Sequence, residues 1–108
     1  MMDAALRRRL LGLAGLGVRG RNAVVGVERV RGAAQEGTLR LALLAEDASR
    51  HSRDKIVPML AAKGITMVDG FAAAELGAVS GREATAVIGI VDVQLAKGIR
   101  GALGPADE

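Results

Sequence analysis

Residues 39–49 read L-R-L-A-L-L-A-E-D-A-S, and Leu39 to Ala45 is apolar at every position except Arg40. Successive side chains of a strand point to opposite faces. A strand apolar on both faces has to be covered on both, which is the signature of a central strand between helical layers. Glu46 and Asp47 close the run. Asp47 or Ser49 can cap the helix that follows, because a short side-chain oxygen there accepts from a free first-turn amide. A second run, A-T-A-V-I-G-I-V (84–91), has the same character and ends at Asp92, again a favoured cap.

Working outward from these two strands, the spacing of apolar residues predicts the rest. Asp3 caps a helix over about Ala4–Ala14, stopped by Gly15 and Gly17. Val18–Gly20 reads as an edge strand, followed by a helix from about Arg21 to Gln35 with Asn22 as its N-cap and Gly37 as its stop. The helix after Ser49 runs to about Lys63, with Pro58 expected to kink or split it and Gly64 to end it. Ile65–Val68 is a short strand. Asp69 and Gly70 turn the chain into a small helix from Phe71 to about Val79, and Ser80-Gly81 make the next turn. The last helix runs from its Asp92 cap to about Leu103. A helix followed by four strand–helix pairs defines an α/β chain with a sheet sandwiched between helix layers, its crossovers right-handed where strands are parallel. At 108 residues the chain suits a single domain, residues 1–108, with a core over about 4–103 and a frayed tail at Gly104–Glu108.

Composition narrows the function. Half the residues are apolar, the one aromatic is Phe71, and there is no cysteine. Disulfides, thiolate chemistry and cysteine-based zinc sites are excluded, and a reducing, cytoplasmic setting is compatible. Residues 1–40 carry eight arginines against three acids, while residues 41–108 carry seven Lys or Arg against nine acids. A basic first portion on a near-neutral body points to an anionic partner, nucleic acid first. The run R-R-R-L-L-G-L-A-G-L-G-V (7–18) mimics a signal peptide, but three glycines interrupt it and no clear cleavage site follows. No apolar stretch approaches the ~20 residues of a membrane helix.

Chemistry has few footholds. Gly15, Gly17 and Gly20 match G-x-G-x-x-G, yet a dinucleotide fingerprint needs a strand before it, and a helical stretch stands there. His51 is the only histidine and lies in a polar helix start. Glu46 and Asp47, adjacent at a strand end, point to opposite sides. No cluster has metal-ligand spacing. The expectation is a non-enzymatic protein with no cofactor and no metal. With Phe71 alone there is no aromatic platform for single-stranded bases, so a structured RNA is the better fit.

The stretch V-R-G-R-N-A-V-V-G (18–26) is the best candidate site. Arg19 and Arg21 flank Gly20, whose backbone freedom suits a turn, and Asn22 stands at an expected helix start, where free amides and the helix dipole favour anions. Arg19 and Arg21 are assigned to phosphates and Asn22 to base edges. A capped helix with two solvated arginines would look the same.

These motifs occur in a familiar order. L-L-G-L-A-G-L (10–16), V-R-G-R-N-A-V (18–24), L-R-L-A-L-L-A-E-D-A-S (39–49), E-L-G (75–77) and A-V-I-G-I-V-D (86–92) resemble the ribosomal protein L7Ae/L30e family, most of all its small bacterial, YlxQ-like members. The resemblance spans nearly all of residues 5–103. It implies a three-layer α/β/α sandwich with a mixed four-stranded sheet, and binding to kink-turn RNA, in which sheared guanine–adenine pairs sit beside a sharp bend. It also implies a ribosomal or assembly-intermediate RNA as partner. In that family a G-x-N-E-x-x-K pattern at the turn into the second helix reads the pairs, and a loop before the last strand packs on flipped nucleotides. Carried over, Gly20 and Asn22 match the glycine and asparagine. Ala23 stands at the glutamate position and Gly26 at the lysine position. Ala72, Ala73 and Ala74 replace basic residues often found before E-L-G. The later loop corresponds to Gly81, Arg82, Glu83, Ala84 and Thr85, with Arg82 a further phosphate contact. The missing glutamate and lysine keep a second reading open, a protein–protein module on the same fold with a degraded RNA site.

Overall fold

The computed structural model describes residues 2–104, and residues 105–108 of the tail expected to fray lie outside them. The order is α1 (Ala4–Arg19), β1 (Ala23–Val25), α2 (Val27–Glu36), β2 (Leu41–Ala45), α3 (Arg50–Ala62), β3 (Thr66–Phe71), α4 (Ala73–Val79), β4 (Val87–Ile90) and α5 (Val93–Leu103). The strands form one sheet in the order β1-β4-β2-β3. β4 is antiparallel to both of its neighbours, and β2 and β3 are parallel. The α/β sandwich with a mixed four-stranded sheet therefore stands. Among the described residues no helix is long and apolar enough to cross a membrane.

The two apolar runs do what their patterns require. β2 is buried at all five positions. Leu41, Leu43 and Ala45 face one way, with Ile88 and Ile90, under Leu10 and Ala14 of α1, Leu76 of α4 and Ala96 and Ile99 of α5. Ala42, Leu44 and Val87 face the other way, under α2 and α3 through Val30, Ala33, Ile56 and Leu60. Phe71 is fully buried in the first of these layers. Gly89 lets α2 come close: a Cβ there would stand 2.7 Å from Leu39 Cδ1 and 3.0 Å from Val30 Cγ2.

Several boundaries differ from expectation, each for a packing reason. α1 does not stop at Gly15 and Gly17 but runs on to Arg19. Both glycines are buried, and a Cβ at Gly17 would lie 2.5 Å from Leu95 Cδ2. Gly17 brings α1 against α5 and Gly15 brings it against Val79 of α4, and that burial outweighs a propensity cost of up to ~1 kcal/mol each. Val18–Gly20 is therefore the helix end, and the edge strand lies further on, at Ala23–Val25. α3 passes through Pro58 without splitting. Ser49, not Asp47, caps it, its hydroxyl accepting from the Ser52 N–H. Asp47 instead accepts from the Ala73 N–H at the start of α4. β3 continues through Asp69 and Gly70 to Phe71, because Gly70 at φ 105° and a register shift opposite β2 absorb the expected turn within the strand. β4 is shorter than the run 84–91, since Thr85 folds back instead, its N–H donating to Ala73 O. Asp92, Gly37 and Gly64 act as expected, the first accepting from Leu95 N–H and the two glycines adopting left-handed φ.

Candidate nucleic-acid interface

The turn after α1 is closed by two backbone bonds, Asn22 N–H to Gly17 O at 2.7 Å and Arg21 N–H to Val18 O at 3.3 Å. This is the Schellman arrangement, which needs one residue in the left-handed region. Gly20 does not supply it, for its φ is −89°. Arg21 does, at φ 63°, the one non-glycine with positive φ among the described residues. Gly20 serves by being small: a Cβ would stand tightly against Leu16 O at 3.3 Å. Asn22 is not a helix cap. Its carbonyl accepts from Val91 N–H, tying the turn to the end of β4, and its exposed carboxamide has no protein partner among the described residues.

The turn into the second helix lies six residues further on than the sequence places it. Gly26, at φ 99° and ψ 159°, is the N-cap of α2 and makes no side-chain cap bond. That conformation is open essentially to glycine alone. Counted from this turn, Gly26 occupies the glycine position of the G-x-N-E-x-x-K pattern, and Glu28, Arg29 and Gly32 stand at its asparagine, glutamate and lysine positions. The turn keeps the glycine and changes the other three.

The second wall is the loop between α4 and β4. Gly81 takes φ 74°, Arg82 N–H donates to Gly77 O, and a Cβ on Gly77 would meet Ala84 Cα at 2.6 Å. The loop thus lies directly on α4. Arg82, Glu83 and Ala84 are exposed, whereas Thr85 is buried with its hydroxyl donating to Val87 O. Because β1 and β4 are neighbours, loop and turn meet across the sheet edge. Between them runs a groove of about 460 Å³ lined by Val18, Arg21, Ala23, Val24, Val25, Arg29, Ser80 and Arg82. Arg82 Nη1 comes within 3.5 Å of where a Gly26 Cβ would stand.

Of the residues singled out in the sequence, the groove brings together Arg21, Ala23 and Arg82. Arg19, Gly20, Asn22, Glu83, Ala84 and Thr85 do not line it. Arg29 and Ser80 were missed. Arg29 is a charged residue between apolar positions of a helix, which reads as solvated surface until the fold places it at a cleft. Among the described residues, none of the guanidinium groups of Arg21, Arg29 and Arg82 forms an ion pair or donates a hydrogen bond to protein, in contrast to those of Arg7, Arg31, Arg53 and Arg100. The shortest ion pair among the described residues, Arg53 to Asp69 at 2.8 Å, lies at the opposite edge of the sheet. The Arg53 hydrogen bond holds the Asp69 carboxyl below its ordinary range, against the opposing effect of burial. Among the described residues no group of three or more His, Asp or Glu is placed to hold a metal.

Fold and groove together describe an α/β sandwich with a cationic cleft at its sheet edge. The chain belongs to the ribosomal protein L7Ae/L30e/S12e/Gadd45 family, whose sequence model matches residues 11–99. No curated protein matches it at a significant level. Among solved structures, it is similar to a protein of unknown function from Bacillus halodurans, at 27% identity over 89% of this chain and 97% of that one, with a TM-score of 0.79. It also shares its fold with the Giardia lamblia 15.5kD RNA binding protein, at 20% identity over 96% of this chain and 89% of that one, with a TM-score of 0.81.

Proposed function

We propose that this protein is a non-enzymatic, cytoplasmic RNA-binding protein. Its ligand is a structured, kink-turn-like RNA, in a ribosomal or ribosome-assembly setting. The observation that carries the reading is the convergence of Arg21, Arg29 and Arg82 on one groove at the turn into α2, with no acidic side chain among the described residues lining it. Three guanidinium groups without a protein partner among the described residues are stabilised by an anion between them, and RNA phosphates arrive closely spaced where a helix bends. Membership of a family of ribosomal proteins and the shared fold of an RNA-binding neighbour support the same reading. The loop residues Glu83 and Ala84 sit beside Arg82 at the rim, where they would border the RNA.

A gel-shift titration tests this. A kink-turn RNA is expected to bind, and more tightly than a straight duplex of the same length. Binding should weaken steeply with salt, as phosphate contacts release counterions. Equal affinity for the straight duplex would remove the structured-RNA reading. Absence of binding, together with a lysate partner that survives ribonuclease, would favour the protein–protein module.

A further inference from the structure

The lining of the groove also bears on what kind of RNA feature it selects. Its charged side chains are Arg21, Arg29 and Arg82, and its one other polar side chain is Ser80. The Ser80 hydroxyl donates to Leu76 O at 2.8 Å, so its proton is already engaged. Among the described residues no carboxylate or carboxamide side chain lines the groove. The nearest acids face other partners or solvent: Glu28 pairs with Lys55 Nζ at 3.2 Å, and Glu83 is exposed beside Arg82. Asn22, the side chain best suited to base edges, lies outside the lining. Reading both members of a guanine–adenine pair calls for an acceptor beside the donors, because adenine presents an amino group, whereas guanidinium groups supply donors only: they match phosphate oxygens and, of the base edges, guanine alone.

The three arginines also come from different parts of the fold. Arg21 ends the turn after α1, Arg29 belongs to α2 on one face of the sheet, and Arg82 belongs to the loop after α4, a helix of the other face. A ligand touching all three must present phosphates from more than one direction at a single place. A straight duplex does not do this, and a sharply bent one does.

Building on the RNA-binding reading, we propose that the groove selects RNA by where its phosphates converge and not by the identity of its base pairs. Its ligand class is sharply bent RNA of any sequence. Guanine–adenine pairs matter here only as far as they create the bend.

The test is filter binding of the intact chain to three RNAs across 50–200 mM salt. One is a kink-turn. One has the guanine–adenine pairs replaced by Watson–Crick pairs, with a bend of equal angle held by a three-way junction. One is a straight duplex. The first two are expected to bind within about threefold of each other and the third at least about tenfold more weakly. Arg29→Gln/Arg82→Gln should lower the slope of log affinity against log salt by about 1.5, at about 0.7–0.9 per phosphate. Both side chains are exposed and without partners among the described residues, so the double variant is expected to keep its circular dichroism and melting temperature. Asn22→Ala should leave affinity within about twofold. A tenfold preference for the guanine–adenine RNA over the bent junction would overturn the proposal, as would an unchanged salt slope in the double variant or a tenfold loss in Asn22→Ala. If the wild-type chain binds none of the three RNAs, it is the RNA-binding reading itself that falls.

Discussion

Substituting Gly77 by Ala tests the joint between fold and groove. Gly77 lies inside α4, where alanine is ordinarily the better helix former by up to ~1 kcal/mol. Its Cβ would meet Ala84 Cα and N at 2.6 Å and Glu83 C at 2.7 Å. These are backbone atoms and cannot swing aside as a side-chain tip would, so the loop must retreat by most of an ångström to reach ordinary contact. Overpacking of this kind costs ~1–3 kcal/mol, and the helix-propensity gain offsets part of it. The net is a destabilisation of ~1–2 kcal/mol, or a fall of roughly 5–10 °C in Tm for a chain of this size. Gly12→Ala is the matched control. It makes the same chemical change on the exposed face of α1, where a Cβ meets nothing within 4 Å, and it should raise stability by up to ~1 kcal/mol. Urea and thermal unfolding of both variants beside wild type measure the two signs. Because the loop that retreats carries Arg82, Gly77→Ala should also weaken RNA binding at temperatures where it is still folded. A Gly77→Ala variant as stable as wild type, or more so, would show that the loop does not press on α4 as described.

Two further outcomes follow from single residues. Arg21→Gly removes a side chain from a left-handed backbone, which costs an L-residue ~1–2 kcal/mol. Part of that gain is returned through the freer unfolded chain, so urea midpoints should be unchanged or higher by up to ~1 kcal/mol while RNA affinity drops several-fold, and a clear loss of stability would contradict the strained turn. Asp69 has a folded pKa lowered by Arg53, so its pairing contributes stability above the unfolded carboxyl value of ~3.9 and loses it as pH falls through the folded value. With the Asp69 side chain 47% exposed, the contribution is screened to ~0.2–1 kcal/mol; Asp69→Asn should show that deficit at pH 7 and none near pH 2, and an equal deficit at both would assign the loss to packing.

The sheet was legible in the sequence because burial on two faces leaves an unambiguous pattern. Leu41–Ala45 and Val87–Ile90 carry apolar residues at consecutive positions, and a caps-and-glycines reading brackets them with Ser49, Asp92, Gly37 and Gly64. The N-terminal third was less legible because its glycines have two uses that look alike in sequence. Gly15 and Gly17 are small so that α1 can touch its neighbours, and Gly26 is glycine because its backbone angles require it. Read alone, the first pair looks like a stop and Gly20 looks like the turn residue, which moved the expected entry of α2 six residues early and carried Asn22 with it. That the left-handed position belongs to Arg21 has no sequence signal, since arginine is not chosen for that conformation. Arg82 was found because it lies in a loop that the family resemblance marks. Arg29 was not, because only the packing of α2 against β1 turns an ordinary helical arginine into the wall of a cleft.

The two walls of that cleft meet across β1, an edge strand joined to the sheet by the three rungs Ala23–Ile90, Val24–Gly89 and Val25–Ile88. Short edge elements open locally at far lower free energy than a molecule's centre. Parting these rungs would separate Arg21 and Arg29 from Arg82, and would also lift Ala23 and Val24 from the two layers they pack on. Any such opening would scale apparent affinity by the closed fraction. A ligand bridging the two walls would hold the rungs shut, by ~2.7 kcal/mol at a hundredfold excess over Kd, so binding at the cleft would show as added protection of this edge strand.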